Sequence, residues 1–350
     1  MTSGALRTPI CDLFGIRYPI VQTGMGWVSD ARLTAATADA GGLGILASAT
    51  LSYDELVTGI ADVKARTDRP FGVNLRADAP DAARRADLLI REGVRVASFA
   101  LAPKPELIDK LKSAGVVVVP SVGARRHAEK VAAWGVDAVV VQGGEGGGHT
   151  GPVPTSLLLP QVVDAVDIPV IAAGGFYDGR GLVAALAYGA AGVAMGTRFL
   201  LTTDSPIAED VKRRYLAASV TGTVVTDALD GVPQRVLRTP FVDALAGRAS
   251  GRRLANAIGN ARAFRKLSGR SWLSLLREGR AMRGHGLRYD QVLLAANTPM
   301  LIRTAMVEGR ADAGVMASGQ VTGLIEDLPS CAELIERIVA EAAVALQRLA

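Results

Sequence analysis

Cysteine is nearly absent from this chain. Cys11 and Cys331 are the only two in 350 residues. They lie far apart and match no ligand spacing, which argues against a disulfide framework and against a zinc site. A reducing, cytoplasmic compartment is the expectation from that usage. Aromatic residues are also few, at 5%. The basic residues behind the net charge of +5 concentrate between Lys212 and Arg288 rather than forming an aromatic-interleaved patch. Nucleic acid is therefore not an expected partner, and an anionic small molecule suits the charge better. No uninterrupted apolar run reaches membrane-spanning length, and the opening Met-Thr-Ser-Gly-Ala-Leu-Arg is not followed by an apolar signal core. Neither membrane insertion nor secretion is expected. Oligomeric state stays open, with a homo-oligomer among the possibilities.

What the chain does have is 49% hydrophobic residues, 21% charged residues and 39 glycines, the composition of a protein folded throughout. Short β-branched runs recur at Pro19–Gly24, Gly42–Ser48, Phe71–Leu75, Arg95–Ala100, Val116–Val122, Ala138–Gly143, Pro169–Gly175 and Gly192–Arg198. Amphipathic segments rich in Ala, Leu and charge separate them: Ala31–Ala40, Tyr53–Arg66, Asp81–Glu92, Lys104–Ala114, Arg125–Trp134, Leu157–Val166 and Gly179–Tyr188. Strand and helix in alternation mean an α/β fold with a parallel sheet. Regular spacing and the lack of a Gly-x-Gly-x-x-Gly fingerprint after the first strand favour a closed (β/α)8 TIM barrel over an open doubly wound sheet. One further helix, Cys331–Leu349, closes it. Residues 1–200 and 315–350 then form the barrel. Residues 201–314 form a mainly helical insertion after strand eight, a substrate lid, with a turn or hairpin at Asp230-Gly231.

In a barrel, chemistry sits just past the carboxyl ends of the strands. Those positions hold Gln22, Gly24 and Met25, then Ser48, Asn74, Ser98 and Ser121, then the run from Gln142 to His149. Five of the seven positions from Gly143 to His149 are glycine, around Glu145. So many glycines let backbone approach a flat or anionic ligand closely. After strands seven and eight come Gly174, Gly175, Gly196 and Thr197, the usual place for a phosphate in barrels. His149 is the sole imidazole at a strand end. His127 reads as a solvated helix residue, and His285 sits in an Arg-Gly-His-Gly turn of the insertion.

Seven segments carry a family resemblance: 19–29 (Pro-Ile-Val-Gln-Thr-Gly-Met-Gly-Trp-Val-Ser), 40–46, 70–74, 142–151, 168–175, 195–199 and 317–324. Together they resemble the FMN-dependent nitronate monooxygenase and type II enoyl reductase superfamily, over nearly the whole chain. The resemblance implies FMN in the barrel mouth. Gly24 and Met25 would lie by its ring, Asn74 and Gln142 would bond its polar edge, and Gly148 with His149 would approach its reactive side. Gly174, Gly175, Gly196 and Thr197 would hold the phosphate, and Ser318 with Gln320 would close the pocket. Gly146 departs from the commoner Ala or Ser and would widen the loop for a bulkier substrate. Segments 95–104, 235–239, 295–301 and 327–331 look like an actinobacterial subgroup that acts in steroid C and D ring degradation. That implies oxidation or reduction of the Cα–Cβ bond of a bicyclic hydroxy-methyl-oxo-octahydroindene-carboxyl-CoA with NAD(H).

Such a reaction needs a proton moved at Cα, hydride moved at Cβ and a cationic clamp for CoA phosphates. His149 is the candidate acid or base, unless it only positions flavin or thioester by hydrogen bonding. Glu145 would orient His149, or face a cation or solvent. Arg235 and Arg238, with Lys212, Arg213 and Arg214, would supply the clamp, although a charge run is more often a solvated helix face. Met25, Met195 and Met316 read mainly as adaptable packing. The alternative activity is a nitronate monooxygenase using O2, and a third reading is a flavin-binding or phosphate-binding sensor without turnover.

Overall fold

The computed structural model describes residues 6–247 and 297–349. Eight parallel strands close into a barrel: β1 (Ile20–Gln22), β2 (Leu43–Ala47), β3 (Gly72–Leu75), β4 (Val96–Phe99), β5 (Val117–Val122), β6 (Val139–Gln142), β8 (Val170–Ala173) and β9 (Gly192–Met195). Closure is made where β1 pairs with β9, Val21 opposite Ala194. A two-residue strand, β7 (Gly148–His149), lies outside the barrel. The (β/α)8 expectation is thus met. The eighth barrel strand is shorter than expected, because Gly196 ends it and the chain turns directly into a short helix, Thr197–Leu200.

The strands are apolar on both faces because both are covered. Val21, Ile45, Val119, Val140, Ile171 and Ala194 point to one cluster inside the barrel. Their neighbours Ile20, Leu46, Val118, Val141, Ala172 and Val193 pack outward under the helices. This is the period of two that a pleated strand imposes. Helix α1 (Pro9–Phe14) contributes Ile10, Cys11 and Phe14 to the inner cluster, and Arg95 donates to the Leu13 carbonyl behind it.

The outer ring runs α2 (Ala31–Asp39), α3 (Tyr53–Arg66), α4 (Ala82–Arg91), α5 (Pro105–Ser113), α6 (Arg125–Ala133), α7 (Thr155–Val163) and α8 (Gly179–Ala187). Helix α3 begins with a capping box in which Ser52 and Glu55 satisfy each other's backbone N–H. Its acidic residues stand in the first turn and its basic ones in the last, as the helix dipole favours. After the short α9 (Thr197–Leu200) come α10 (Glu209–Leu216), an antiparallel hairpin of β10 (Thr223–Thr226) and β11 (Gln234–Leu237), and α11 (Pro240–Gly247). The hairpin turn falls at the expected Asp230-Gly231. Helices α12 (Asn297–Met306) and α13 (Cys331–Leu349) complete the described chain, the latter packed on α8 and α2. His285 lies outside the described residues. No described helix is long and apolar enough to cross a membrane.

Candidate active site

One cavity of about 610 Å³ occupies the carboxyl-end mouth of the barrel. Gly24, Met25, Asn74, Gln142, Gly148, His149, Gly174, Gly175, Gly196 and Thr197 all line it, as do Ser98, Ser121 and Met195. Residues far apart in sequence meet there because every strand ends on the same rim.

The loop from Gly143 to Gly151 is held, not loose. The Gly146 N–H and the Thr150 hydroxyl both donate to the Gly143 carbonyl, at 3.1 Å each, and the Gly144 N–H donates to the Val153 carbonyl at 2.7 Å. Gly148 and His149 form β7 and pair antiparallel with β11, opposite Arg235 and Gln234. The Gln142 amide donates to the His149 carbonyl at 2.7 Å. Most of the loop glycines are there for packing: a Cβ on Gly147 would sit 2.6 Å from the Gly319 nitrogen, and one on Gly146 would strike Gln142. Gly148 differs. Its φ is +70° and nothing lies within 4 Å of a Cβ placed there, so the left-handed backbone itself requires glycine. Gly175 is similar, with φ +89° and only the Glu145 Cβ nearby, at 3.9 Å.

Two polar residues that the sequence places at strand ends act away from His149. Glu145 does not reach His149. Its carboxylate accepts from the Thr155 N–H at 2.9 Å and hydroxyl at 2.7 Å, so it satisfies the start of α7. Gln22 is fully buried and ties the loop after β1 to β2 through Ser29 and the Ile45 backbone. The carboxylate that does reach His149 is Asp230, whose Oδ2 lies 3.0 Å from Nε2. Asp230 is 7% exposed and His149 59%. Burial works against the Asp230 charge, but the hydrogen bonds from His149, Gln234 and the Val232 N–H hold its carboxyl below the usual range. Sequence reasoning took Asp230 only for a turn former, because its partner lies 81 positions away.

Trp27 also carried no assigned role. It lines the cavity, its indole N–H donates to the Pro299 carbonyl at 2.9 Å, and the Arg303 guanidinium sits 5.4 Å from its ring centre. With Thr298, Pro299 and Ile302 of α12 it forms a wall of the site.

Ser318 and Gln320 do not face this cavity. The Ser318 hydroxyl is buried and donates to the Gly319 carbonyl. Gln320 lines a second cavity, of about 590 Å³, with Arg235, Thr150, Pro152, Pro154, Val225 and Pro233. The two cavities share Glu145, Thr150 and Gly151 and so meet across the glycine loop. Arg235 donates to the Gly144 carbonyl and the Thr223 hydroxyl. Burial pushes its guanidinium below its usual value, with Glu145 acting in the opposite direction.

The rest of the expected cationic clamp does not assemble. Lys212 is buried, with its ammonium on the Thr202 and Ser205 carbonyls at 2.7 and 2.9 Å. Arg213 is paired with Glu209 and Asp210, and Arg214 with Asp312. Arg238 is exposed and lies on the Asp243 carboxylate at 3.1 Å. Each is committed to a neighbour that neutralises it or satisfies its donors. Met316 is buried packing and His127 is exposed, as expected.

A parallel barrel with glycine-lined loops at its mouth and a carboxylate-held imidazole on the cavity wall is the architecture of a small-molecule enzyme. The nitronate monooxygenase family model matches residues 7–341, and the chain belongs to that family. A (3aS,4S,5R,7aS)-5-hydroxy-7a-methyl-1-oxo-octahydro-1H-indene-4-carboxyl-CoA dehydrogenase of Mycobacterium tuberculosis (strain ATCC 25618 / H37Rv) is 64% identical over 346 residues, which cover 98% of each chain. A protein of the same name from Rhodococcus jostii (strain RHA1) is 62% identical, covering 96% of each. Among solved structures, FabK from Thermotoga maritima superposes with a TM-score of 0.79 at 36% identity, covering 98% of each chain. Nitroalkane oxidase from Streptomyces ansochromogenes does so with 0.76 at 29%, covering 97% of this chain and 99% of that one.

Proposed function

We propose that this protein is an FMN-dependent oxidoreductase acting with NAD(H) on the Cα–Cβ bond of a hydroxy-methyl-oxo-octahydroindene-carboxyl-CoA thioester, in the breakdown of steroid C and D rings. The observation that carries this reading is near-complete, 64% identical coverage by a relative named for that dehydrogenation. The cavity is of a size for such ligands, since small-molecule sites run to roughly 300–1,000 Å³.

The residues present fit a flavin phosphate and ring. Gly148 and Gly175 hold positive φ with open space where side chains would intrude. No acceptor among the described residues takes the Gly175 N–H. In this reading Gly174, Gly175, Gly196 and Thr197 hold the phosphate, Asn74 and Gln142 bond the polar edge of the ring, and Gly24 and Met25 flank it. Bound FMN supplies the hydride acceptor and donor that no side chain here can provide. His149 moves the proton at Cα, and the wall of Trp27, Pro299 and Ile302 excludes water from the bicyclic rings. Residues 201–314 serve as the substrate lid. Arg235, in the second cavity, retains N–H groups for a CoA phosphate and is better placed than Arg238, whose charge is paired.

The test is an anaerobic visible spectrum of the purified protein before and after NADH. Bleaching of flavin absorbance followed by turnover of the CoA thioester is the expected result. Flavin that stays oxidised with NADH, together with oxygen uptake on an alkyl nitronate, would replace this reading with a nitronate monooxygenase.

A further inference from the structure

We propose that Asp230 is the positioning residue of His149: it fixes the neutral imidazole as the Nε2–H tautomer and leaves Nδ1 as the atom that exchanges the substrate proton. The assignment of Nδ1 to substrate rests on the reading in which His149 moves the proton at Cα.

The argument is one of donors and acceptors. Asp230 Oδ1 accepts from the Val232 N–H at 3.1 Å. Its Oδ2 accepts from the Gln234 amide and from the Thr298 hydroxyl, the latter at 3.2 Å. Among the described residues, every hydrogen-bond partner of the carboxylate other than His149 therefore offers it a proton donor, which is the environment of an ionised acid. The atom of His149 that stands 3.0 Å from the same Oδ2 must then carry a hydrogen. A neutral imidazole has one N–H and one bare nitrogen, so Nδ1 keeps its lone pair. No described residue hydrogen-bonds to Nδ1, and the ring lies on the cavity wall.

Asp230 is itself held from three elements: the β10–β11 turn, β11 through Gln234, and α12 through Thr298. His149 is fixed from the other side by its β7 pairing and by Gln142 on its carbonyl. The pair thus has little freedom to rotate. In the dehydrogenation direction the Cα–H bond breaks and its proton goes to Nδ1. The electron pair becomes the Cα=Cβ π bond as hydride leaves Cβ, for which bound FMN would be the two-electron acceptor. The imidazolium so formed faces a buried carboxylate, which lowers the cost of making it.

The test is carried out on the whole enzyme labelled with [15N]histidine. With three histidines in the chain, His149→Gln assigns the resonance. At a pH where the ring is neutral, a wild-type Nε2 of pyrrole type and Nδ1 of pyridine type is the expected result; the reverse overturns the proposal. Asp230→Asn should shift the ring toward Nδ1–H, because an amide that keeps the Val232 contact turns its NH2 toward Nε2. It should also lower kcat by about 10²–10⁴-fold with KM within a few-fold. A well-folded Asp230→Asn protein with unchanged tautomer and undiminished kcat overturns the proposal as well. The wild-type spectrum alone reads the tautomer without substrate or variant. An Nε2–H ring in a protein inert toward the CoA thioester would remove the assigned reaction and leave the positioning by Asp230 standing.

Discussion

At the residue scale, Gly175 concentrates the proposed phosphate chemistry in one backbone unit. Its φ of +89° costs any L side chain on the order of 1–3 kcal/mol, and the space beyond is open to the cavity. Two substitutions separate strain from charge. Gly175→Ala adds only strain and should still purify with flavin, whereas Gly175→Asp adds a carboxylate where a phosphate would sit and should purify colourless. The flavin-to-protein absorbance ratio reads both, and a fully occupied Gly175→Asp protein would move the phosphate elsewhere. The glycines and His149 were legible because a strand running into such a loop is rare in sequence. Asp230 was not, since an Asp-Gly pair reads as a turn whatever its carboxylate does. Glu145 misled for the opposite reason: closeness in sequence suggested a partner for His149, while the chain's path aimed it at α7.

Between elements, the informative contact joins α9 to the segment that leads into α13. Arg198 is 3% exposed and reaches Asp327 through Nη1 to Oδ1 at 3.0 Å and Nη2 to the Asp327 carbonyl at 3.0 Å. Arg337 of α13 holds the other oxygen of the same carboxylate. Burial pushes the Arg198 guanidinium down from its usual value, and Asp327 opposes that shift. Asp327→Ala would leave a buried cation without its counter-charge, a loss of about 3–5 kcal/mol for fully buried pairs and about 2 kcal/mol here because Asp327 is half exposed. Urea unfolding of the flavin-loaded protein should show a lower midpoint with an unchanged slope; an unaltered midpoint would make the clasp energetically idle. Helix bodies such as Tyr53–Arg66 and Cys331–Leu349 were readable to the residue, since apolar period and caps agree. Strand ends overran by a residue or more at glycines. The two-residue β7 carries no periodic signal, because only the hairpin opposite it makes it a strand.

For the molecule as a whole, the cavity is lined by segments from along the chain: the loops after β1, β3, β6, β8 and β9, and the returning chain at Thr298–Met306 and Ala317–Val321. Barrel closure was legible in the regular alternation of strands and helices. The seat of the β10–β11 hairpin on the His149 loop was not, because it depends on pairing between residues some 85 positions apart, such as His149 with Gln234. A ligand in that cavity binds the native state and has no site in the unfolded chain, so it raises stability by RT ln(1 + [L]/Kd), about 2.7 kcal/mol at a hundredfold excess over Kd. Protein stripped of flavin should therefore melt lower by some degrees, and its midpoint should climb with the logarithm of added FMN. Riboflavin, which lacks the phosphate, should recover much less, because the backbone N–H groups around Gly175 and Gly196 would have no anion to meet. Equal recovery by riboflavin would show that the glycines after β8 and β9 serve the turns alone. No recovery by either compound would mean that the cavity holds something other than a flavin.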